Sequence, residues 1–422
     1  MAGFLLARLP EAGFDQVVDP RGPSRKWKLS QLLTGVLVGL MAGSKSLREV
    51  EELTEMLSPG MRRKLKLGGR LPDTTLRDAL CELSLDEVRA CLERIVRAAS
   101  RRKALEPVGL PFGVLAMDGK CTSLPYWDDE YVQKHHPEEG QPFGIARTVT
   151  CTLVSAAGRP CLDALPVPVA TNEMGHFQEA FRSVLSRYGA LFKVITYDAG
   201  ALSEANGRAV IDGGKDYVLR LKGELRTMYK LAEELLDPHD VIAETVDVLN
   251  NRTTVTRRLV VLPVHQNWAY GDGKGAQDSL WSHVRCFLRV ESIKKVGDEV
   301  VEREARMYVT SLCEEKLTPA QWLLLIRSHW GVESNHNTLD TAFAEDDRPW
   351  IVADGRGLMN VLVLRRIAYT LLALFRSVTQ RSEQTRAIRW NELLRWVWAT
   401  TVAATEEHLT ALRPRKNDTV RA

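Results

Sequence analysis

The chain has 422 residues, 45% of them apolar and 26% charged, with a formal net charge of +3. This composition is that of an ordinary folded protein and excludes a disordered or collagen-like polymer, while the length predicts about two to four domains. A net charge of +3 decides nothing by itself, so its distribution along the chain matters more.

The N-terminal "MAGFLLARLPEAGFD" has only a short apolar patch and reaches Glu11 and Asp15 early, which argues against a secretion signal. From Arg21 to Arg70 there are eleven Lys/Arg against four Glu and no Asp, an excess of seven positive charges. That excess suits a polyanion such as nucleic acid, and it equally suits a solvated helical face. Residues 20 to 105 read as helices. The run "LLTGVLVGLMAG" predicts a buried helix too short to span a bilayer. Ser46 precedes an acidic first turn and predicts a cap for "LREVEELTEML". "TLRDALCELSLDEVRACLERIVRAAS" keeps a helical apolar period.

The texture changes near Pro107. "FGVLAMDGK" is a short apolar run ending on Asp118, and "ARTVTCTLVSAAGRPCLDALPVPVA" predicts a β-hairpin. "NEMGHFQEAFRSVLSRYGA" reads as a helix, "LFKVITYDAG" as a buried strand ending on Asp198, and "DYVLRLKGE" as another strand. Strands mixed with crossover helices predict an α/β core whose ligands sit at strand ends. Residues 224–305 are rich in Val, Thr and Arg, with turn signals at Asn250-Asn251 and Gly297-Asp298, and predict a β-rich insertion. "YGDGKGAQDS" within it lacks the phosphate-loop spacing and reads as a solvent loop. The core resumes with "RMYVTSL" and a long helix, and the basic tail "ALRPRKNDTVRA" reads as frayed.

The seven cysteines are odd in number and contain no C-x-x-C pair, so neither a zinc ribbon nor a disulfide framework is indicated. Reduced thiols in a cytosolic protein fit them.

On the long helix, His329, Glu333, His336 and Asp340 recur at spacings of four, three and four, the step of one helical face. Such a face could be a metal site, a catalytic acid or a wet surface. A zinc or di-iron reading is disfavoured, because no H-E-x-x-H and no second E-x-x-H occurs. Asp118, Asp198 and Glu333 stand out by position, although turn chemistry alone explains an Asp that closes a strand. If the three converge they must repel one another unless cations neutralise them. Hard oxygen ligands of this kind select Mg²⁺ or Mn²⁺.

The motifs "AMDGK" at 116–120, "ITYDAG" at 195–200, "YVLRLKGE" at 217–224, "YVTSL" at 308–312 and "RSHWGVESNHNTLDTAFAEDDRPW" at 327–350 resemble, in this order, bacterial insertion-sequence DDE transposases of the H-repeat-type branch. "DPRGPSRKWKLSQLLTGVLVGLMAG" and "LPDTTLRDAL" resemble that branch's associated N-terminal domain, and "NVLVLRRIAYTLL" its closing helix. The resemblance implies an α/β fold with a ribonuclease-H-like core, a β-rich insertion and an N-terminal all-α domain. The implied boundaries are 1–105 for the helical, DNA-binding domain, 106–223 and 306–380 for the core, 224–305 for the insertion, and 381–422 for a C-terminal helix and tail. It implies Asp118, Asp198 and Glu333 as catalytic metal ligands for two Mg²⁺ ions, with Mn²⁺ as a substitute. It places Arg327, His329, Trp330, Lys120 and Lys222 near DNA. Where the broader superfamily has Tyr, Arg and Lys around the catalytic Glu, this chain has Ile326, His329 and Asp340, so those phosphate contacts are not implied. Glu173 in "TNE" also matches the branch, without a role.

The implied activity is cleavage and joining of DNA at the ends of an insertion sequence. The implied partners are double-stranded DNA and a second copy of the chain, with no membrane and no nucleotide cofactor, in the bacterial cytoplasm on nucleoid DNA. Two rivals share these residues: a Mg²⁺-dependent DNA nuclease that does not join, and a catalytically idle DNA-binding relative.

Overall fold

The computed structural model describes residues 1–23, 25–198, 200, 202–222, 226–250, 252–264 and 280–412, without the side chains of Glu173, Arg226, Thr227 and Asn250. The loop 270–279, the tail 413–422, Asn251 and the Glu173 side chain, all read above from sequence, therefore lie outside the described residues.

Six helices lead the chain: α1 (Ala2–Arg8), α2 (Leu29–Met41), α3 (Leu47–Met56), α4 (Pro59–Lys64), α5 (Asp73–Glu82) and α6 (Leu85–Arg101). Ser46 does cap α3, its hydroxyl accepting from the Glu49 N–H at 3.1 Å. The sheet then opens with β1 (Val114–Leu124), β2 (Val132–His135), β3 (Phe143–Leu153) and β4 (Cys161–Pro166). After α7 (Glu173–Tyr188) come β5 (Val194–Tyr197), α8 (Glu204–Asp212), β6 (Asp216–Leu221) and α9 (Arg226–Leu235). Two antiparallel hairpins follow, β7 (Ala243–Asn250) with β8 (Thr253–Pro263) and β9 (Cys286–Val296) with β10 (Glu299–Thr310). The chain closes with α10 (Pro319–Ser328), α11 (Trp330–Thr341), α12 (Gly355–Leu374), α13 (Glu383–Arg386), α14 (Trp390–Ala403) and α15 (Glu406–Ala411).

The ten strands among the described residues form one mixed sheet in the order β2-β3-β1-β5-β6-β10-β9-β8-β7, with β4 also paired to β3. β1 is antiparallel to β3 but parallel to β5, and β5 is parallel to β6. The β-rich segment does not form a separate layer: β10 pairs with β6 and carries the same sheet outward.

Strand alternation sorts side chains onto two faces. Leu115, Met117, Ile195, Tyr197, Leu219 and Val309 join the large core that includes α2, α5, α6 and α12. Val114, Ala116, Val194, Val218 and Tyr308 join a second core under α10 and α11, with Trp322, Ile326 and Val332. The leading helices thus share one core with α12. Asn360 on α12 donates to the Leu80 and Leu83 carbonyls at 2.8 Å each. Arg89 on α6 donates to buried Asp163 on β4 at 2.8 and 3.0 Å, and to Ser183 on α7 at 2.9 Å. The helix from Gly355 through Thr379 spans 25 residues, and its most apolar 18-residue stretch has a mean hydropathy of 1.6, long and apolar enough to cross a membrane. Here it is the central core helix, buried throughout that apolar stretch.

Candidate active site

Asp118 does not end its strand. It sits inside β1, because the antiparallel ladder with β3 continues from Leu115↔Leu153 to Leu124↔Gly144. On the other side the parallel ladder with β5 stops at Met117↔Tyr197. The Asp-Gly pair therefore marks where one neighbouring strand departs, not where β1 turns. Asp118 and Asp198 each follow directly on that last pair, Asp118 within β1 and Asp198 one residue past the end of β5. Both share parity with Ala116 and Thr196, so both face α10 and α11.

The predicted long helix is interrupted at His329, which links α10 to α11. The polar stripe nevertheless lies flat on the carboxylate-bearing strands. His329 Nδ1 and Thr196 Oγ1 on β5 share a hydrogen bond of 2.9 Å. His336 Nδ1 lies 3.4 Å from Asp118 Oδ2 on β1, and Asp340 accepts from Lys120 at 2.6 Å. Asn335 donates to Thr152 on β3 at 3.1 Å. Gly331 allows the helix to come this close, since a Cβ there would stand 2.9 Å from Val154 and 3.1 Å from Arg159. Glu333, between His329 and His336 on the stripe, shares a cleft with Asp198, Arg220, Arg306, Tyr308 and Trp330.

The electrostatics follow from this geometry. Asp198 is flanked by Arg220 at 3.7 Å and Lys222 at 3.6 Å. Arg306 on β10 is held by Glu304 at 2.6 and 2.9 Å and lies 5.1 Å above the Trp330 ring. Partial burial raises the Glu333 carboxyl above its usual range. The Asp198 charge adds to that rise, and Arg306 and Arg220 oppose it. Burial pushes His329 down to about 4, and His336 to about 3 with help from Arg366 and Lys120. Both imidazoles are neutral at pH 7, so neither acts as a phosphate-binding cation.

Those depressed values set a pH dependence of stability. As pH falls below 6.5 the unfolded chain protonates both histidines, whereas the folded protein resists until about 4 and 3. Stability is complete above that window and falls within it, by up to about 1.4 kcal/mol per pH unit for each group. Urea melts between pH 7 and 5 should show this slope, and His336→Asn should flatten it; an unchanged slope in the variant would show that the imidazole is not held neutral.

The other residues singled out from sequence are placed as follows. Lys222 and Trp330 border the Asp198–Glu333 cleft. Arg327 points toward the outer sheet and pairs with Asp247 on β7 at 2.6 Å. Lys120 is 6% exposed and faces inward, bound to Asp340 and, at 3.0 Å, to Asp346. Sequence reading missed Arg220, Arg306 and Glu304. For Arg220 the available signal was a basic residue between Leu219 and Leu221 in a mostly apolar strand, whereas Glu304 and Arg306 belong to the charged run from Glu302 to Arg306, in which nothing singles them out.

Among the described residues, no group of three or more His, Cys, Asp or Glu is close enough to hold a metal ion. Asp198 is drawn to its two cations and Asp118 lies against His336, so shared coordination requires both carboxylates to rotate away from these neighbours. The donor set, three carboxylates, has the chemistry of a Mg²⁺ or Mn²⁺ site.

No protein-family model and no curated protein matches the chain. Among solved structures it is similar to a cryo-EM structure of a piggyBac transposase synaptic complex with hairpin DNA, at 10% identity and a TM-score of 0.43. That similarity covers 99% of this chain and 82% of the other, and is too distant to bear on fold or activity by itself.

Proposed function

We propose that the protein is a DDE-type transposase that cleaves DNA at the ends of an insertion sequence and joins the freed 3′-hydroxyl to target DNA. The observation that carries this reading is that Asp198 and Glu333 share one cleft while Asp118, on the adjoining strand β1, lies against His336 about one turn along the helix that bears Glu333. The ordered motifs read from sequence support it. The sheet is compatible with the ribonuclease-H-like core those motifs imply, with β7–β10 inserted ahead of the Glu333 helix.

Asp118, Asp198 and Glu333 would hold two Mg²⁺ ions, or Mn²⁺ in their place. Bound there, the ions supply activation of the attacking oxygen and charge stabilisation at the leaving oxygen. Arg220, Lys222 and Arg306 supply positive charge for the DNA backbone beside the carboxylates. Neutral His329 orients α11 through Thr196. Arg306 stacked on Trp330 forms one wall of the cleft. Two DNA ends require two such sites, hence a homodimer on DNA acting on the bacterial nucleoid.

The test uses labelled DNA ends, taken from inverted repeats flanking the coding sequence, with target plasmid and Mg²⁺. Joined product is the expected result. Nicking without joining would replace this reading by a hydrolytic nuclease. Salt-sensitive binding with no metal-dependent strand breakage would leave only a DNA-binding relative.

A further inference from the structure

We propose that Lys120 is a positioning residue that fixes α11 along β1 and so sets where Glu333 stands relative to the two aspartates. The inference rests on the carboxylate reading above for its functional consequence, but its structural half is independent of it. Asp118, Lys120 and Thr122 alternate onto the face of β1 that α11 covers, and each meets a partner. Asp118 lies against His336 at 3.4 Å. Lys120 donates to Asp340 at 2.6 Å and Asp346 at 3.0 Å, and Thr122 donates to Asp346 at 3.4 Å.

The periods of the two elements match. From His336 to Asp340 the helix rises about 6 Å. From Asp118 to Lys120 the strand advances about 6.6 Å. The Asn335–Thr152 and His329–Thr196 hydrogen bonds and the close packing at Gly331 hold the first part of α11 against β3 and β5. The Lys120 ammonium, nearly enclosed and bound by two carboxylates, fixes the register of its C-terminal end along β1. Asp346 lies beyond the end of α11, so Lys120 ties down both the helix and the segment that leaves it. Lys45, from the α2–α3 connection, donates to the Ala342 carbonyl at the same helix end. A side chain spent this way is not offered to DNA.

The test uses the full-length protein with three variants. Lys120→Met keeps the aliphatic stem and removes the charge. Asp340→Asn leaves the Asp346 pair in place and is the milder change should the first fail to fold. Lys120→Asp combined with Asp340→Lys restores one pair with the charges exchanged. Two readouts are hydrogen exchange of amides 330–341 and Mn²⁺ binding followed by electron paramagnetic resonance without DNA.

In Lys120→Met, exchange of α11 should accelerate while α12 is unchanged. Mn²⁺ affinity should fall at least about tenfold, the usual size of an outer-shell effect. DNA affinity should stay within about twofold, and the exchanged pair should recover much of the loss. Unchanged exchange in both single variants overturns the proposal. So does weaker DNA binding with a shallower salt dependence, which would make Lys120 a phosphate ligand. Faster exchange in a protein whose native form binds no Mn²⁺ would uphold the seating of α11 and sink the metal reading instead.

Discussion

Asp198→Asn is expected to lower metal-dependent strand cleavage by at least about a thousandfold, the equivalent of the several kcal/mol that a bound cation supplies to phosphoryl transfer. DNA affinity should move the opposite way. The Asp198 carboxylate stands 3.7 Å from Arg220 and 3.6 Å from Lys222, partly neutralising both. Removing its charge while keeping its shape leaves two cations for backbone phosphates, so binding should tighten slightly and fall more steeply with salt. Cleavage rates on labelled ends and a salt titration of binding check both halves. Native-like cleavage in Asp198→Asn would remove this residue from the chemistry. Asp118→Asn should match the loss of cleavage.

The second large effect concerns stability. Arg366 on α12 and Glu345, just beyond α11, form an ion pair with both side chains wholly buried. Arg365 beside it donates to the Arg348 carbonyl and lies 5.5 Å from the Trp350 ring. Burial draws its guanidinium down to about 10. Glu345→Ala would leave Arg366 charged, enclosed and without its carboxylate, which typically costs about 3–5 kcal/mol. Replacing both partners, Glu345→Leu with Arg366→Met, should recover most of that loss. Urea denaturation of the three proteins measures it. A single-variant loss below about 1 kcal/mol would mean that the buried charge finds another partner.

The two effects meet in one region. Glu345, Asp346 and Asp340 all lie at the C-terminal end of α11, where α12 and β1 hold the helix that carries Glu333. Loss of the buried pair should therefore loosen the site before the rest of the fold, which hydrogen exchange over 330–341 would reveal.

Local chemistry determined much of this protein. The apolar period and the Ser46 cap were enough to place α2, α3 and α7, and the turn at Gly297-Asp298 was enough for the β9–β10 hairpin; the single helical run read over 75–100 is divided at Leu83–Ser84 into α5 and α6. The polar stripe at 329, 333, 336 and 340 was legible because helical spacing depends only on the chain's own repeat. What its members touch was decided by other segments. Asp118 read as a strand end because Asp-Gly favours turns, but β3 pairs past it and carries β1 on for six more residues. Lys120 and Arg327 read as cations for DNA, yet Asp340, Asp346 and Asp247 come from distant parts of the chain to bind them. The apolar run of α12 has membrane length by composition, and only the helices and sheet packed around it make it a core element. Spacing along one backbone fixes which residues share a face; which charge meets which across two elements depends on the register between them, and no single segment encodes that.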